Sequence, residues 1–575
     1  MALPPGPKYL LNKLVSVAAP YGLVYGVIRT LKSFQVIDIS RWGVILLVMA
    51  LQLVVIASRP VVRFFKFRKQ AAERGAVMVP EVQQSSVSII KDVLKGFGEG
   101  YVGDVFLDWE EKYGTAYMLN IFGELRLISS EPSHMKALLA TQFNEFVKGP
   151  LLQSQWKSLL GTGVFNSDGE MWKFHRNMTR PFFNKDRIRD FEIFDSHAMD
   201  TIRQIKKRLA EGHPVEFQDA VARFTLDSAT EFLFGKNVRS LDAGLPYPKS
   251  SGIANSESFT NHPSTVFVNA FMKGQELTVA RNRTGTTWPL AEFWGDKVAE
   301  QREIVDGFVK PILANVFAKT ASGEKKTSED EEFFLGHLIN YTQDEQVILD
   351  ELVNILVASR DTTAALLTFA VYVLTQRPDI AKKLREEVMK HVGPTSAPSY
   401  DDIKEMKYLR AFLNETLRLY PPVPFDARTS IGPTTIPNPN DNTRPLFVPE
   451  NTNVFLIHRR KDLWGPDADE FDPNRFIDER LHKYLAPNPF IFLPFNAGPR
   501  ICLGQQFAYN EASFFLVRLL QNFSSFSFAA DAQDEDCKPP EQWKGAPGTK
   551  GRDKIILKAH LTMFVKGGMW IRMAA

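Results

Sequence analysis

Residues 495–504, FNAGPRICLG, hold the one cysteine of the chain that is well placed to react. Cys502 stands immediately before a long apolar helical pattern, LGQQFAYNEASFFLVRLLQNF, whose N-terminus brings partial positive charge. Arg500, two residues earlier, adds a full one. Both favour the thiolate, the form in which cysteine ligates a metal. Gly498 and Gly504 leave the backbone room to pass close beneath a flat ligand, and Phe495 offers an aromatic lid to the sulfur. The bland reading is a buried structural cysteine at a strand-to-helix turn. Against it, the spelling F-x-x-G-x-R-x-C-x-G fixes five of ten positions.

Further patterns stand upstream. In WKFHR, Trp172 to Arg176, the i, i+4 spacing puts indole and guanidinium on one helical face, suited to holding a carboxylate-bearing ligand. A surface cation–π pair is the commoner use of that spacing. An apolar pattern from Val347 to Leu374, opened by Thr342 and Glu345 as a capping box and ended by Arg377-Pro378, belongs in a core. Inside it ASRDTT, Ala358 to Thr363, places a charge and two hydroxyls whose desolvation must be offset. The bland account has a threonine bonded back to an i−4 carbonyl and Asp361 paired with Arg360 on an exposed strip. Glu415 and Arg418 stand three apart in a helix stopped by Pro421-Pro422. With Arg475 of FDPNRF they compose a buried Glu-Arg-Arg network, since a buried pair needs extra partners. Between them PVPFDARTS supplies Phe425 and Arg428.

In this order the motifs resemble those of the cytochrome P450 monooxygenases, over roughly residues 75 to 575. Ser359 stands where that family usually has glycine, which bears on close backbone approach to haem and not on the proton relay. The resemblance implies a mainly α fold with a small β region, preceded by an N-terminal membrane segment. It implies haem b with the Cys502 thiolate as metal ligand, in a loop where Phe495, Gly498, Arg500 and Gly504 contact the cofactor. Trp172, Arg176 and Arg428 become propionate partners. Thr362 hydrogen-bonds the dioxygen and Asp361 relays protons from solvent. Glu415, Arg418 and Arg475 form a structural triad; Ala358, Phe425, Leu561 and Thr562 are substrate contacts. One oxygen atom enters an apolar organic substrate and the other becomes water. No flavin- or nicotinamide-binding segment is evident, so the resemblance points to NADPH-cytochrome P450 reductase as electron donor, docking on a basic face near the cysteine. The phrasing ASRDTT and FNAGPRICLGQQFA is similar to fungal P450s that hydroxylate n-alkanes and fatty acids. Other xenobiotic, aromatic or terpenoid substrates stay open, as do a peroxide-rearranging enzyme and a non-catalytic haem sensor, although Asp361 and Thr362 weigh against the last two.

Residues 42 to 58, WGVILLVMALQLVVIAS, form an uncharged apolar run bracketed by Arg41 and Arg59, read as a transmembrane helix. RPVVRFFKFRK follows, with Arg59, Arg63, Lys66, Arg68 and Lys69 and no acid, which by the positive-inside rule keeps the C-terminal part cytoplasmic. The expected location is the endoplasmic reticulum membrane. Leu14 to Ile28 is a second apolar stretch that lies in the interface or spans. Residues 1–74 are thus anchor and linker, and 75–575 one catalytic domain. The 575 residues carry a net charge of only +3, which gives no ground for nucleic-acid binding. Cys537, in the polar loop DAQDEDCKPP, reads as an exposed spare thiol, and a disulfide to Cys502 is disfavoured. AYMLNIFGELRLISS suggests a small sheet, 241–300 mobile elements over an entrance, and ASGEKKTSEDEE (321–332) a solvated loop. Residues 526–553 form a polar insertion with no assigned role, and IILKAHLTMFVKGGMWIRM a hairpin about its Gly-Gly.

Overall fold

The computed structural model describes residues 3–34, 40–98, 102–183, 191–321, 333–457, 460 and 462–575. Two helices open the chain, Pro5–Ser33 and Arg41–Glu73. The second starts where Ser40 Oγ accepts from Gly43 N at 3.1 Å. It does not end with the apolar run but continues through Pro60 and the basic residues. Its far half is tied down by Arg63, which donates to Gly123 O at 2.7 Å and to Asn120 Oδ1 at 3.3 Å. Among the described helices, this one and Glu345–Gln376 are long and apolar enough to cross a membrane. The first exposes Trp42, Leu46 and Leu53, whereas the second is a core helix. Pro5–Ser33 does not meet that test; its start docks on the body, Gly6 N donating to Phe293 O at 3.1 Å.

Ala116–Ile121 and Glu124–Ser129 form the expected hairpin, the edge of a five-stranded sheet. Asn453–Ile457, Phe425–Ser430 and Phe146–Val147 complete it in that order. Thr429 thereby pairs with Val147, so the strand carrying Phe425 and Arg428 lies beside the chain that continues into Lys148.

Helices make up most of the rest, arranged about Glu345–Gln376. Its cap is Asp344, not the Thr342–Glu345 box expected from sequence. One carboxylate oxygen accepts from Gln346 N at 3.0 Å and Val347 N at 3.1 Å, satisfying two orphan amides that a threonine two residues earlier cannot reach. The region 241–300 contains a long helix, Pro263–Thr284, which together with Lys297–Ala321 packs over the central helix.

Two other expectations are corrected. The C-terminal hairpin turns earlier than the Gly-Gly: Leu557–Ala559 pairs with Met563–Val565 across His560–Thr562. Gly567 and Gly568, at φ 77° and 80°, make a corner that sends Trp570–Ala574 into a different sheet, beside Ser525–Phe528 and Val215–Glu216. Cys537 is 5% exposed, because residues 526–553 fold back as short turns that also bury Trp543. Both cysteines are free. The solvated-loop reading falls on 322–332, outside the described residues.

Candidate active site

From Ile348 to Leu374 every residue of the central helix is buried except Ala358, Ser359 and Thr362. At i, i+1 and i+4 these share one face, so the core opens where the polar break in the sequence lies. Thr362 Oγ1 donates to Ala358 O at 2.6 Å, and Ser359 Oγ to Ile355 O at 2.9 Å. Asp361 is buried and held from two sides: Arg360 pairs with one carboxylate oxygen, and Gln275 of the Pro263–Thr284 helix donates to the other at 2.6 Å. The Arg360–Asp361 pair of the bland account therefore exists, but inside the protein and not on an exposed strip.

The cysteine helix, Gln505–Asn522, meets the central helix beside this face. Glu511 is wholly buried near the Thr363 and Ser228 hydroxyls, and burial pushes its carboxyl up to about 8. At the head of that helix Cys502 N donates to Phe495 O at 2.9 Å, closing the loop, while the Phe495 ring packs 5.0 Å from that of Tyr509. Cys502 keeps accessible surface although protein atoms crowd its sulfur. Burial pushes its thiol up, and the Gly504 N–H and Arg176 pull it back. The cation at the sulfur is thus Arg176, which also donates to Ile501 O at 2.6 Å, and not Arg500 as the sequence suggested. Gly498, at φ 68°, serves a close approach to the Leu139 carbonyl, where any Cβ would collide.

Arg500 reaches instead to Asp168, at 2.7 Å, and lies over the Trp172 ring at 4.6 Å. Nearby, Asp426 accepts from Arg428 at 2.5 Å, Lys148 at 3.3 Å and Asn496 at 2.9 Å. Burial opposes the charge on Asp426, but Arg428 and Lys148 hold it well below the usual carboxylate range. Burial also lowers Lys148 to about 8 and Arg500 to about 10. Three cations, Lys148, Arg428 and Arg500, therefore face two carboxylates, Asp168 and Asp426. The Nε atoms of Arg428 and Arg500 are buried without a partner. Orphan donors of this kind need acceptors that the chain does not supply. The two propionates of a haem are such acceptors, and Cys502 is the soft ligand its iron requires; the residues present fit that group.

Glu415 grips Arg418 with both oxygens, at 2.6 and 2.8 Å, and meets Arg475 at 3.5 Å. Further bonds run from Asp472 N to Glu415 and from the two arginines to the carbonyls of Trp464, Asp467, Ala468 and Glu470. Phe476, next to Arg475, packs with its ring tilted 5.0 Å from that of Phe492, three residues before Phe495, so the network braces the start of the cysteine loop. Phe425 joins Phe97 and Phe106 in an aromatic wall, with centroids at 6.0 and 5.8 Å. Leu561 packs against the apolar cluster that includes Ile355 and Val357, while Thr562 is buried within its own turn, its N–H donating to His560 at 3.1 Å. Sequence reasoning missed Lys148, Asp168, Gln275, Asp426 and Glu511. Only Asp426, inside the quoted PVPFDARTS, and Glu511, a lone acid in an apolar helix, left a signal.

A model of the family described as Cytochrome P450 matches residues 93–550. Among curated proteins the chain is 37% identical over 468 residues to cytochrome P450 52A3-A of Candida maltosa, covering 78% of this chain and 84% of that one. It is 36% identical over 431 residues to cytochrome P450 monooxygenase himC of Aspergillus japonicus, covering 73% and 72%. It is 34% identical over 507 residues to cytochrome P450 52A6 of Candida tropicalis, covering 85% and 89%. A match of this extent places the chain in the cytochrome P450 family, among its monooxygenase oxidoreductases.

Proposed function

We propose that this P450 is a membrane-bound monooxygenase of long-chain aliphatic compounds, n-alkanes or fatty acids. The observation that carries the reading is the open face of Ala358, Ser359 and Thr362, flanked by the held Asp361. The wall of Phe97, Phe106 and Phe425 suits a greasy chain. Relatives with the cytochrome P450 52 name support the aliphatic assignment.

Haem, when bound, supplies oxygen activation and electron transfer, with the thiolate favouring O–O cleavage. The chain supplies the rest. Cys502 would supply the thiolate ligand, with Arg176 beside its sulfur, and Arg428, Arg500 and Lys148 would hold the cofactor's carboxylates by charge. The Thr362 hydroxyl, turned to its own helix at Ala358 O, needs only a change of rotamer to donate into the space it borders. Asp361, fixed by Gln275 and Arg360, sets a carboxyl one residue away to relay protons to it. Electrons come from NADPH-cytochrome P450 reductase. Residues 1–74 anchor the protein in the endoplasmic reticulum, and the basic run from Arg59 to Lys69 keeps the haem domain, 75–575, cytoplasmic.

The test is the absorption spectrum of the reduced, CO-bound full-length protein beside Cys502→Ala. A strongly red-shifted Soret band that disappears in the variant is expected; its absence from folded wild-type protein would bring the sensor reading forward. Reductase-supported turnover should then favour long-chain acids and alkanes. Turnover of compact aromatic or terpenoid compounds alone would overturn the substrate assignment.

A further inference from the structure

Two arginines end the Pro263–Thr284 helix, Arg281 and Arg283, where the helix dipole welcomes a cation. Their surroundings differ. Arg281 is saturated: Glu292 and Asp296 take its N–H groups at 2.5 to 2.7 Å, and Ser158 another at 3.0 Å. Arg283 makes no ion pair among the described residues. Its Nε is buried without a partner, and Nη2 has only a long 3.5 Å bond to Ala559 O. Burial lowers its pKa; the acid that acts on it, Glu276, is itself paired with Lys273 at 3.1 Å.

The place of this side chain matters more than its isolation. Its guanidinium lies 4.8 Å from the Phe97 ring, and Phe97 packs on Phe106 and Phe425, the wall assigned to substrate. Ala559 opens the turn that carries His560 and Leu561, and His560 lies in the field of Asp361. Lys558, beside Ala559, donates to Phe97 O at 3.1 Å and brings a second cation to the same rim. On the same helix, Gln275 reaches Asp361 eight residues earlier, so Arg283 sits about 12 Å along the axis from that contact. Cation–π contact with Phe97 accounts for the face of the guanidinium, not for its unused edge.

We infer that Arg283 anchors the carboxylate of a long-chain acid at the rim of the substrate space. The chain then runs along Phe97 and Phe425, and the end remote from the carboxylate reaches the Thr362 face. This rests on the aliphatic substrate reading and adds to it the side chain that holds the carboxylate.

The experiment compares holoenzyme affinities for a long-chain fatty acid, its methyl ester and the alcohol of equal length, by calorimetric titration and by the substrate-induced absorption change. Wild-type protein should bind the acid at least ten-fold tighter than the ester. Arg283→Met should weaken the acid at least ten-fold more than the alcohol, with Arg283→Lys between. Equal affinity of wild-type protein for acid and ester, or an equal effect of Arg283→Met on acid and alcohol, overturns the anchor and leaves the aliphatic reading standing. Failure of wild-type protein to bind any of the three overturns both. The acid–ester comparison decides the matter even if the variants fold poorly.

Discussion

Two arginine clusters flank the cysteine loop, and they are built on opposite rules. Around Glu415, each N–H-bearing nitrogen of Arg418 and Arg475 finds an acceptor, several of them backbone carbonyls of residues 464–470. Around Asp426, Arg428 and Arg500 are as deeply placed yet keep Nε atoms with nothing to bond. A buried donor without an acceptor costs roughly 1–3 kcal/mol. A chain that saturates one cluster and leaves the other open has made the first a brace and the second a receptor.

Substitutions can break that contrast. Glu415→Ala strands two buried guanidinium groups, and unfolding by denaturant should show a loss of about 3–5 kcal/mol. Arg428→Met should cost less than Glu415→Ala in the same measurement, because Asp426 keeps Lys148 and Asn496 as partners and the substitution removes an orphan Nε. It should nonetheless release haem to a scavenger protein about ten-fold faster, a difference of about 1.4 kcal/mol. If Arg428→Met destabilises the fold as much as Glu415→Ala does, the contrast is gone.

Glu511 sharpens it with the opposite charge. The folded protein retains the proton on Glu511 up to about pH 8, whereas the unfolded chain releases it near the ordinary value of 4.5. Across that window the native state binds more protons, so stability should fall with rising pH, by on the order of 1 kcal/mol per unit, and level off above pH 8. Denaturant midpoints of Glu511→Gln should lack this slope. An identical slope in the variant assigns the pH dependence elsewhere.

What was legible in the sequence was what is local. The i, i+3 pair Glu415–Arg418, the helix stops at proline, the hairpin at Phe122-Gly123 and the polar break in the central helix each sit within a few residues of their cause. The partners were not legible. Asp168, Lys148 and Asp426 converge from segments up to 278 residues apart, and Gln275 reaches Asp361 from another helix. The cation beside Cys502 reads from sequence as its neighbour Arg500, whereas Arg176 arrives to bond Ile501 O from 325 residues away. Cys537 misleads in the same way: a polar neighbourhood in sequence predicts exposure, but Gly567, thirty residues on, lies against its sulfur.

The clasp between Arg63 and the Asn120–Gly123 turn has a mechanical meaning. Helix Arg41–Glu73 extends for about 50 Å as one stiff rod, broken in its bonding only at Pro60. A rod clamped near one end is a lever. Any bilayer that holds residues 42–58 sets the lever's inclination, and the clamp passes that inclination to the sheet bearing Phe425 and Arg428. Lipid thickness then becomes a variable that steers how the enzyme body sits over the membrane from which a greasy substrate would arrive.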